Sequence, residues 1–239
     1  LLVQKISKDG SACTFERYNF ATFPATSAEI VSHCQHLNIS PAQLSHDGQT
    51  LFRAQSTNGL LTPSALVAEN IATGHIQLLA DAPTSGFGVA MLALSPDGKH
   101  LAYIMMPESN QPEIYLYSIE KREQQRLAAL PVPIVIMGLD WSATGDYLLM
   151  PATNALLKLD IASNSITTLI LPPDLQVGEL SLLSDNQAYV SPLSFGSAIQ
   201  GGMHILRISD PFNPEKAKVS PFSEAAGSTH ELIFHPTNP

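Results

Sequence analysis

Residues 92–104 read LALSPDGKHLAYI, and residues 113–119 read EIYLYSI. The first segment holds two apolar runs separated by a Pro-Asp-Gly turn, and the second alternates along its length. Alternation with a period of two is typical of β-strands, and a glycine between two apolar runs supplies the positive φ that a tight turn needs. These residues therefore predict a strand, a tight turn, a second strand and then a third.

The same order of segments recurs along the chain. Related turns separate apolar runs at SHDG (45–48), SPDG (95–98), SATG (142–145) and SDN (184–186). Their last residues, Gly48, Gly98, Gly145 and Asn186, follow one another after 41 to 50 residues. Self-similarity at this period indicates a repeat architecture.

Each repeat continues into a hairpin, and a further hairpin stands at the N-terminus. The first arm of all five hairpins ends in isoleucine: Ile6, Ile71, Ile119, Ile161 and Ile208. A slip of one residue would turn such a side chain to the other face of its sheet. We therefore expect these isoleucines to form a buried layer that neighbouring units share.

Four strands in a unit of this length predict an all-β protein, a β-propeller built from four-stranded antiparallel blades. We expect one domain over residues 1–239, with about five blades. Four blades are expected at roughly 36–80, 90–128, 137–170 and 179–220. Two outer strands from residues 1–20 and one inner strand from residues 225–239 would share the fifth blade and close the ring. An open array cut from a larger ring is the alternative.

The composition excludes some functions. The formal net charge is -9 with 12 Lys+Arg, and no basic cluster is present to neutralise phosphates, so direct nucleic-acid binding is not expected. The most apolar segment, residues 127–139, is too short for a membrane span and is broken by Pro131 and Pro133. We expect no membrane insertion within this chain. Because the chain starts inside a repeat, we expect it to be a piece of a longer protein.

The segment LSPDGKHLAY (94–103), followed by EIYLY (113–117), resembles the WD-like repeat of TolB-type bacterial propellers. This segment matches the S-P-D-G-(K)-x-L-A-(Y/F) core of that repeat closely. The match is partial around residues 45–52 and 141–150, and it is degenerate around residues 184–190. The resemblance covers essentially the whole chain. It is a resemblance of fold, and folds of this kind carry many functions.

Three kinds of protein carry such propellers. The acidic chain with cysteines near its start is most similar to periplasmic sensory domains of CadC- or ToxR-like membrane-anchored transcription regulators. That resemblance implies a non-enzymatic periplasmic domain that binds a protein or small ligand at one end of the ring, with an upstream membrane helix. A TolB-like periplasmic protein-binding scaffold is one alternative. The non-catalytic propeller of a prolyl-oligopeptidase-like peptidase is the other.

Cys13 and Cys34 are the two cysteines of the chain. The repeat alignment puts them on neighbouring strands, so we expect a disulfide in an oxidising compartment. Two small buried thiols are the alternative.

No catalytic residue, metal site or cofactor is expected. The chain lacks the G-x-S-x-G of serine hydrolases, and residues 85–88 (SGFG) and 194–197 (SFGS) are interpreted as loops. His33, Cys34 and His36 form the densest group of metal-ligand types, but zinc would need further ligands. His46, His100 and His235 lie in or beside repeat turns, where they are either pH-responsive groups or simply polar turn residues.

Loops between the second and third strands of the repeats are lengthened at residues 55–63, 107–112 and 191–202. The last of them carries Leu193, Phe195 and Ile199 among polar and glycine residues. Apolar side chains on such a loop indicate a contact surface for a partner. The alternative is a hairpin folded back onto its own blade.

Overall fold

The computed structural model describes residues 2–7, 12–18, 28–33, 41–56, 64–107, 111–130, 136–152, 155–170, 177–184, 187–192, 203–209 and 218–225. Every regular element in these ranges is a β-strand, which confirms the all-β prediction. Within the same ranges, no helix has the length and apolar character that a membrane crossing requires. The chain divides into two compact units: residues 1–94 with 98–132, and residues 95–97 with 133–239.

The first unit contains two sheets. A three-stranded antiparallel sheet has the order β1-β2-β3, and a larger sheet contains two successive meanders, β4 to β7 and β8 to β11. The strands are β1 (Leu2–Ile6), β2 (Cys13–Tyr18), β3 (Ala28–His33), β4 (Ala42–Leu44), β5 (Thr50–Ser56), β6 (Ser64–Asn70), β7 (Ile76–Ala80), β8 (Gly86–Leu94), β9 (His100–Pro107), β10 (Glu113–Ser118) and β11 (Glu123–Ala129). One parallel bridge, between Ser64 and Gly88, joins the two meanders.

The second unit contains two four-stranded antiparallel sheets, each in chain order. The strands of the first are β12 (Asp140–Trp141), β13 (Tyr147–Ala152), β14 (Ala155–Asp160) and β15 (Ile166–Ile170). The strands of the second are β16 (Val177–Ser184), β17 (Gln187–Pro192), β18 (Met203–Ser209) and β19 (Lys218–Ala225). The blade count and the closure of the ring stay predictions, and residues 226–239 lie outside the described residues.

The N-terminal sheet differs from the sequence prediction of two outer strands. Residues 28–33, which no repeat turn precedes, form β3 and pair with β2. The predicted blades left β3 out because no repeat turn precedes it, although the expected pairing of Cys13 and Cys34 on neighbouring strands already indicated a strand beside β2.

A serine organises each described repeat turn. The hydroxyl of Ser45 donates to Asp47 Oδ1 at 2.6 Å and accepts from the N–H of Thr50 at 2.9 Å, while Gly48 N–H donates to the Ser45 carbonyl at 2.8 Å. Gly48 adopts a φ of 69°. The Ser45 hydroxyl, followed by the N–H of Gln49, lowers the pKa of Asp47 below its ordinary value. The turn is therefore closed by its own side chains as well as by its backbone.

The recurring isoleucines match the predicted layer in part, because Ile71 and Ile119 pack against apolar clusters between successive groups of strands. Ile71, Ile119 and Ile161 are partly buried rather than buried, and each lies one residue beyond its strand. Their N–H groups donate to the carbonyls of the residues that follow the turn glycines: Gln49, Lys99 and Asp146, at 2.9, 2.9 and 3.0 Å. A backbone tie between the third strand and the turn thus accounts for the shared register. The side chains of Ile6 and Ile208 lie outside the described residues.

The β4–β7 meander is covered on both faces within the first unit. One face meets β8–β11 in an apolar cluster, here named the apolar interface. Its buried members are Phe52, Ala54, Leu66, Ala80, Val89, Leu92, Leu101, Tyr103 and Tyr117.

The opposite face of β4–β7 meets the three-stranded sheet and is named the polar interface. Phe15, Val31 and Leu51 form its small apolar cluster. Beside them, Glu69 accepts from the Ser32 hydroxyl at 2.8 and 2.9 Å and from Arg53 Nε at 3.0 Å, and all three residues are buried. A charged pair that is buried between sheets needs such partners to offset its lost hydration.

Candidate functional site

The irregular features of the first unit gather at one end of its strands, named here the loop end. Antiparallel pairing places Ser56 beside Ser64 at this end, and Gly86 beside Pro107. The bridge between Ser64 and Gly88 then brings the two meanders together there. The opposite ends of the strands carry the tight serine turns.

Phe87 stands at the loop end in a β-bulge. The register of β8 with β9 passes from Gly86↔Pro107 to Gly88↔Met106, which leaves Phe87 as the extra residue. The flanking glycines have φ values of 96° and 73°. The Phe87 residue is 55% exposed. Bulges re-aim side chains at functional edges, and glycine is the residue that reaches these φ values without strain.

Ser64 fixes the bulge from the neighbouring meander. Its hydroxyl lies 3.2 Å from the Phe87 carbonyl and 3.1 Å from the Val89 carbonyl, so its one proton is shared between these two acceptors. A Cβ at Gly88 would approach Ser64 N and O to 2.3 Å. No side chain therefore fits at position 88 without backbone movement. The exposed phenyl ring projects from a backbone that is held on both sides.

Three methionines lie on the two strands of this hairpin, with Met105 and Met106 of β9 opposite Val89 and Gly88, and Met91 further along β8. Met91, Met105 and Met106 are partly buried, and Met105 packs against the apolar interface. Flexible thioethers adapt to varied apolar shapes and contact aromatic rings favourably. The loop end of the first unit is therefore suited to bind an apolar side chain of another molecule.

The predicted contact loop with Leu193, Phe195 and Ile199 lies outside the described residues. Its flanking strands, β17 and β18, are described as an antiparallel pair. The role of these three side chains stays a prediction.

The disulfide also stays a prediction, because Cys34 lies outside the described residues. Cys13 is buried on β2, and its Sγ accepts from Gln4 Nε2 at 3.2 Å. The last paired residues of β2 and β3 are Thr14 and His33, which directly adjoin the two cysteines in sequence.

Of the residues considered as metal ligands, only His33 is described by the structure. His33 is exposed on β3, while Cys34 and His36 lie outside the described residues. No cluster of three or more His, Cys, Asp or Glu able to hold a metal ion occurs in the part of the chain that the structure describes. His46 is exposed at its turn and His100 is partly buried on β9, whereas His235 lies outside the described residues. A pH-responsive role for these histidines stays a prediction.

Sequence reasoning interpreted residues 85–88 as a loop and missed Phe87. The structure shows that this segment begins β8 and bulges at the phenylalanine. The available signal was an aromatic residue between two glycines, directly before an apolar strand. Only the contact with Ser64, more than twenty residues away, shows that the segment is rigidly held.

No protein-family model matches the chain, and no curated protein matches it. Solved structures do. TolB from Acinetobacter baumannii superposes with a TM-score of 0.62 at 14% identity over 95% of this chain, and a putative TolB from Agrobacterium tumefaciens with 0.64 at 14% over 95%. The chain covers 55% of the first protein and 81% of the second.

The β-propeller domain of the Trilobed protease from Pyrococcus furiosus is also similar, with a TM-score of 0.52 at 15% identity over 79% of this chain and 59% of that one. At such identities the likeness concerns the fold alone. The predicted TolB-like propeller is confirmed at that level. The more specific resemblance to sensory domains of transcription regulators is not shown and stays a prediction.

Proposed function

We propose that this chain is a non-catalytic, TolB-like β-propeller scaffold that binds a protein partner at the loop end of its first unit, with Phe87 as the anchor. The observation that carries the proposal is an aromatic residue that is exposed on a glycine-flanked bulge and held by a buried serine. The fold of the TolB structures supports the scaffold function, and their names support nothing more specific.

The physical case rests on preorganisation. A ring exposed on a mobile loop loses conformational entropy when it binds, whereas a ring on a fixed backbone loses much less. Aromatic anchors of this kind, set among adaptable apolar contacts, supply most of the binding energy at protein interfaces. Two backbone positions with positive φ flank a bulge here, and Phe87 at that bulge is exposed.

The cellular setting is part of the proposal. An extracytoplasmic location agrees with the TolB-like fold and with the predicted bond between Cys13 and Cys34. We expect protein that was exported to an oxidising compartment and then unfolded in denaturant to show no reactive thiol. After reduction, the same protein should show two reactive thiols. Two reactive thiols without reduction would contradict the bond and remove this support for the location.

The partner site is tested with peptides selected from a random display library on the 239-residue chain. We expect Phe87→Ser to lower the affinity for the selected peptides at least tenfold, because loss of an interface anchor costs about 2 kcal/mol of binding free energy. Phe87→Leu should retain most of the affinity, since it keeps an apolar side chain. Fluorescence anisotropy measures both.

Ile170→Ser is the matched control, because Ile170 is also apolar and is 77% exposed. It should leave binding unchanged, and thermal unfolding should show that all variants are folded. Equal affinities for Phe87→Ser and Ile170→Ser would overturn the assignment of Phe87 as anchor.

A further inference from the structure

We propose a second binding surface on the first unit, where an extended strand of another protein adds to the edge of β3 that no described strand pairs with, and covers the outer strand β7. This surface is named the open step and consists of the β3 edge with Ile76 and Leu78. It lies apart from the Phe87 bulge and does not depend on it. The mode of binding is β-strand addition, in which backbone hydrogen bonds hold the added strand and alternate side chains give specificity.

The polar interface shows how the two sheets overlap. Phe15 on β2 shares a cluster with Leu51 on β5, and Ser32 on β3 bonds to Glu69 on β6. The strands of the two sheets therefore lie over one another in the same order, with β2 over β5 and β3 over β6. Among the described strands β3 pairs only with β2. A strand added to the β3 edge that lies away from β2 would lie over β7.

The side chains of β7 that face this position are apolar. Directly opposed residues of an antiparallel pair point to the same face of a sheet. Ile76 is opposite Glu69, and Leu78 is opposite Val67, so both point to the face that carries the polar interface. Ile76 is 38% exposed and Leu78 is 55% exposed. Ser32 of the three-stranded sheet bonds to Glu69, and Val67 is buried, whereas the outer pair Ile76 and Leu78 is exposed.

The neighbouring meander shows that this apolarity is not a requirement of the fold. On β11 the residues opposite Tyr117 and Tyr115 are Gln124 and Arg126. These polar residues occupy the places that correspond to Ile76 and Leu78. An outer strand of the same architecture is thus polar where no cover is needed, and exposed apolar side chains on β7 indicate a contact surface.

The geometry also defines the occupant. The two apolar side chains are two residues apart, which matches a strand with apolar residues at alternate positions. β7 is five residues long, so a strand of similar length covers it. A second copy of this chain is disfavoured because two chains of net charge -9 repel each other. The occupant is therefore a segment of a different protein that is neutral or basic.

The probe is a fluorescein-labelled octapeptide of alternating valine and threonine with a lysine at each end. We expect it to bind the wild-type chain, and we expect Leu78→Lys to weaken it at least tenfold by placing a charge beneath the added strand. Gln125→Lys is the matched control, since it adds the same charge to an exposed position of β11, and it should leave binding unchanged. A probe with proline at its centre should fail to bind, because proline lacks the N–H that the ladder needs.

Hydrogen exchange supplies the independent readout. The bound octapeptide should slow amide exchange in β3, and Phe87→Ser should leave this protection intact, which separates the open step from the site at the loop end. Absence of binding, equal effects of Leu78→Lys and Gln125→Lys, or binding without protection of β3 would each overturn the proposal. The proposal would also be overturned if the wild-type chain dimerised and Leu78→Lys abolished the dimer, because the occupant would then be a second copy of this chain.

Discussion

On one face of the β4–β7 meander the buried contacts are almost wholly apolar, whereas on the other a carboxylate, a guanidinium and a hydroxyl are buried between the sheets. The apolar interface gains stability in proportion to the area removed from water. The polar interface gains little in net terms, because hydration lost by Glu69 and Arg53 offsets most of their attraction. We expect the bonds between Ser32 and Glu69 to favour one register of the two sheets. The first face provides stability and the second provides specificity.

The largest effect is expected from breaking the polar interface on one side. Glu69→Ala leaves the guanidinium of Arg53 buried without its carboxylate, and we expect it to lower the free energy of unfolding by about 4 kcal/mol. Urea denaturation measures the change. The double variant Arg53→Met with Glu69→Leu should recover to within about 1 kcal/mol of the wild type, because both buried charges are then absent. A double variant as unstable as Glu69→Ala would show that the ion pair itself is a net source of stability.

Truncation of a side chain at the apolar interface should lower the free energy of unfolding somewhat less than Glu69→Ala does. Leu66 is fully buried, and Leu66→Ala is expected to lower the free energy of unfolding by about 3 kcal/mol through lost burial and a cavity. Leu78→Ala is the control at an exposed leucine and should cost less than about 1 kcal/mol. Similar losses for both variants would mean that the apolar interface is not the principal core of this unit.

The junction at the edge of the apolar interface can be tested with two glycines. Gly88 and Gly74 have φ values of 73° and 68°, but a Cβ meets Ser64 backbone only at Gly88, whereas nothing lies within 4 Å at Gly74. Gly74→Ala should cost about 1 kcal/mol from backbone strain alone. Gly88→Ala should cost about 3 kcal/mol, because overpacking adds to that strain. Equal costs in thermal unfolding would contradict the close contact between β6 and β8.

The smallest effect concerns pH at the turn that adjoins the polar interface, where Arg17 Nη1 donates to the Gly48 carbonyl at 3.2 Å. The Ser45 hydroxyl lowers the pKa of Asp47 in the folded chain. The contribution of this carboxylate to stability is therefore complete above its ordinary pKa of 3.8 and is lost as the pH falls through the lowered value. As the pH is lowered from about 6 to about 2, a range that spans the ordinary pKa of an aspartate, the urea midpoint of unfolding should fall less steeply in Asp47→Asn than in the wild type. A steeper fall in the variant would reverse the sign of this argument.

Local chemistry explains which parts of the fold were predictable. The turns at 45–48, 95–98 and 142–145 and the strands beside them were predicted because each serine and glycine acts within its own few residues. β3 was left out of the predicted blades because no repeat turn precedes it, although the two cysteines indicated a strand beside β2. The packing of Ile71 and Ile119 between successive repeats was predicted, although both are only partly buried. Their backbone ties were not predicted, since a backbone N–H leaves no mark in the sequence.

The candidate sites were less accessible for the same physical reason. Phe87 depends on Ser64, and the open step depends on how two sheets overlap. Neither relation has a sequence spacing that could be recognised in a single chain. Leu193, Phe195 and Ile199 were chosen from composition, and their role stays a prediction.

The backbone tie at Ile71, Ile119 and Ile161 has a consequence for how such a chain can be assembled. Each tie joins two parts of the same repeat, so a repeat sets its own register without help from its neighbours. A copy produced by duplication would therefore fold with its strands already aligned. The contact between Ser64 and Gly88 is different, because it joins two successive repeats. We therefore expect contacts between successive repeats, such as the one between Ser64 and Gly88, to determine which repeat can follow which along the chain.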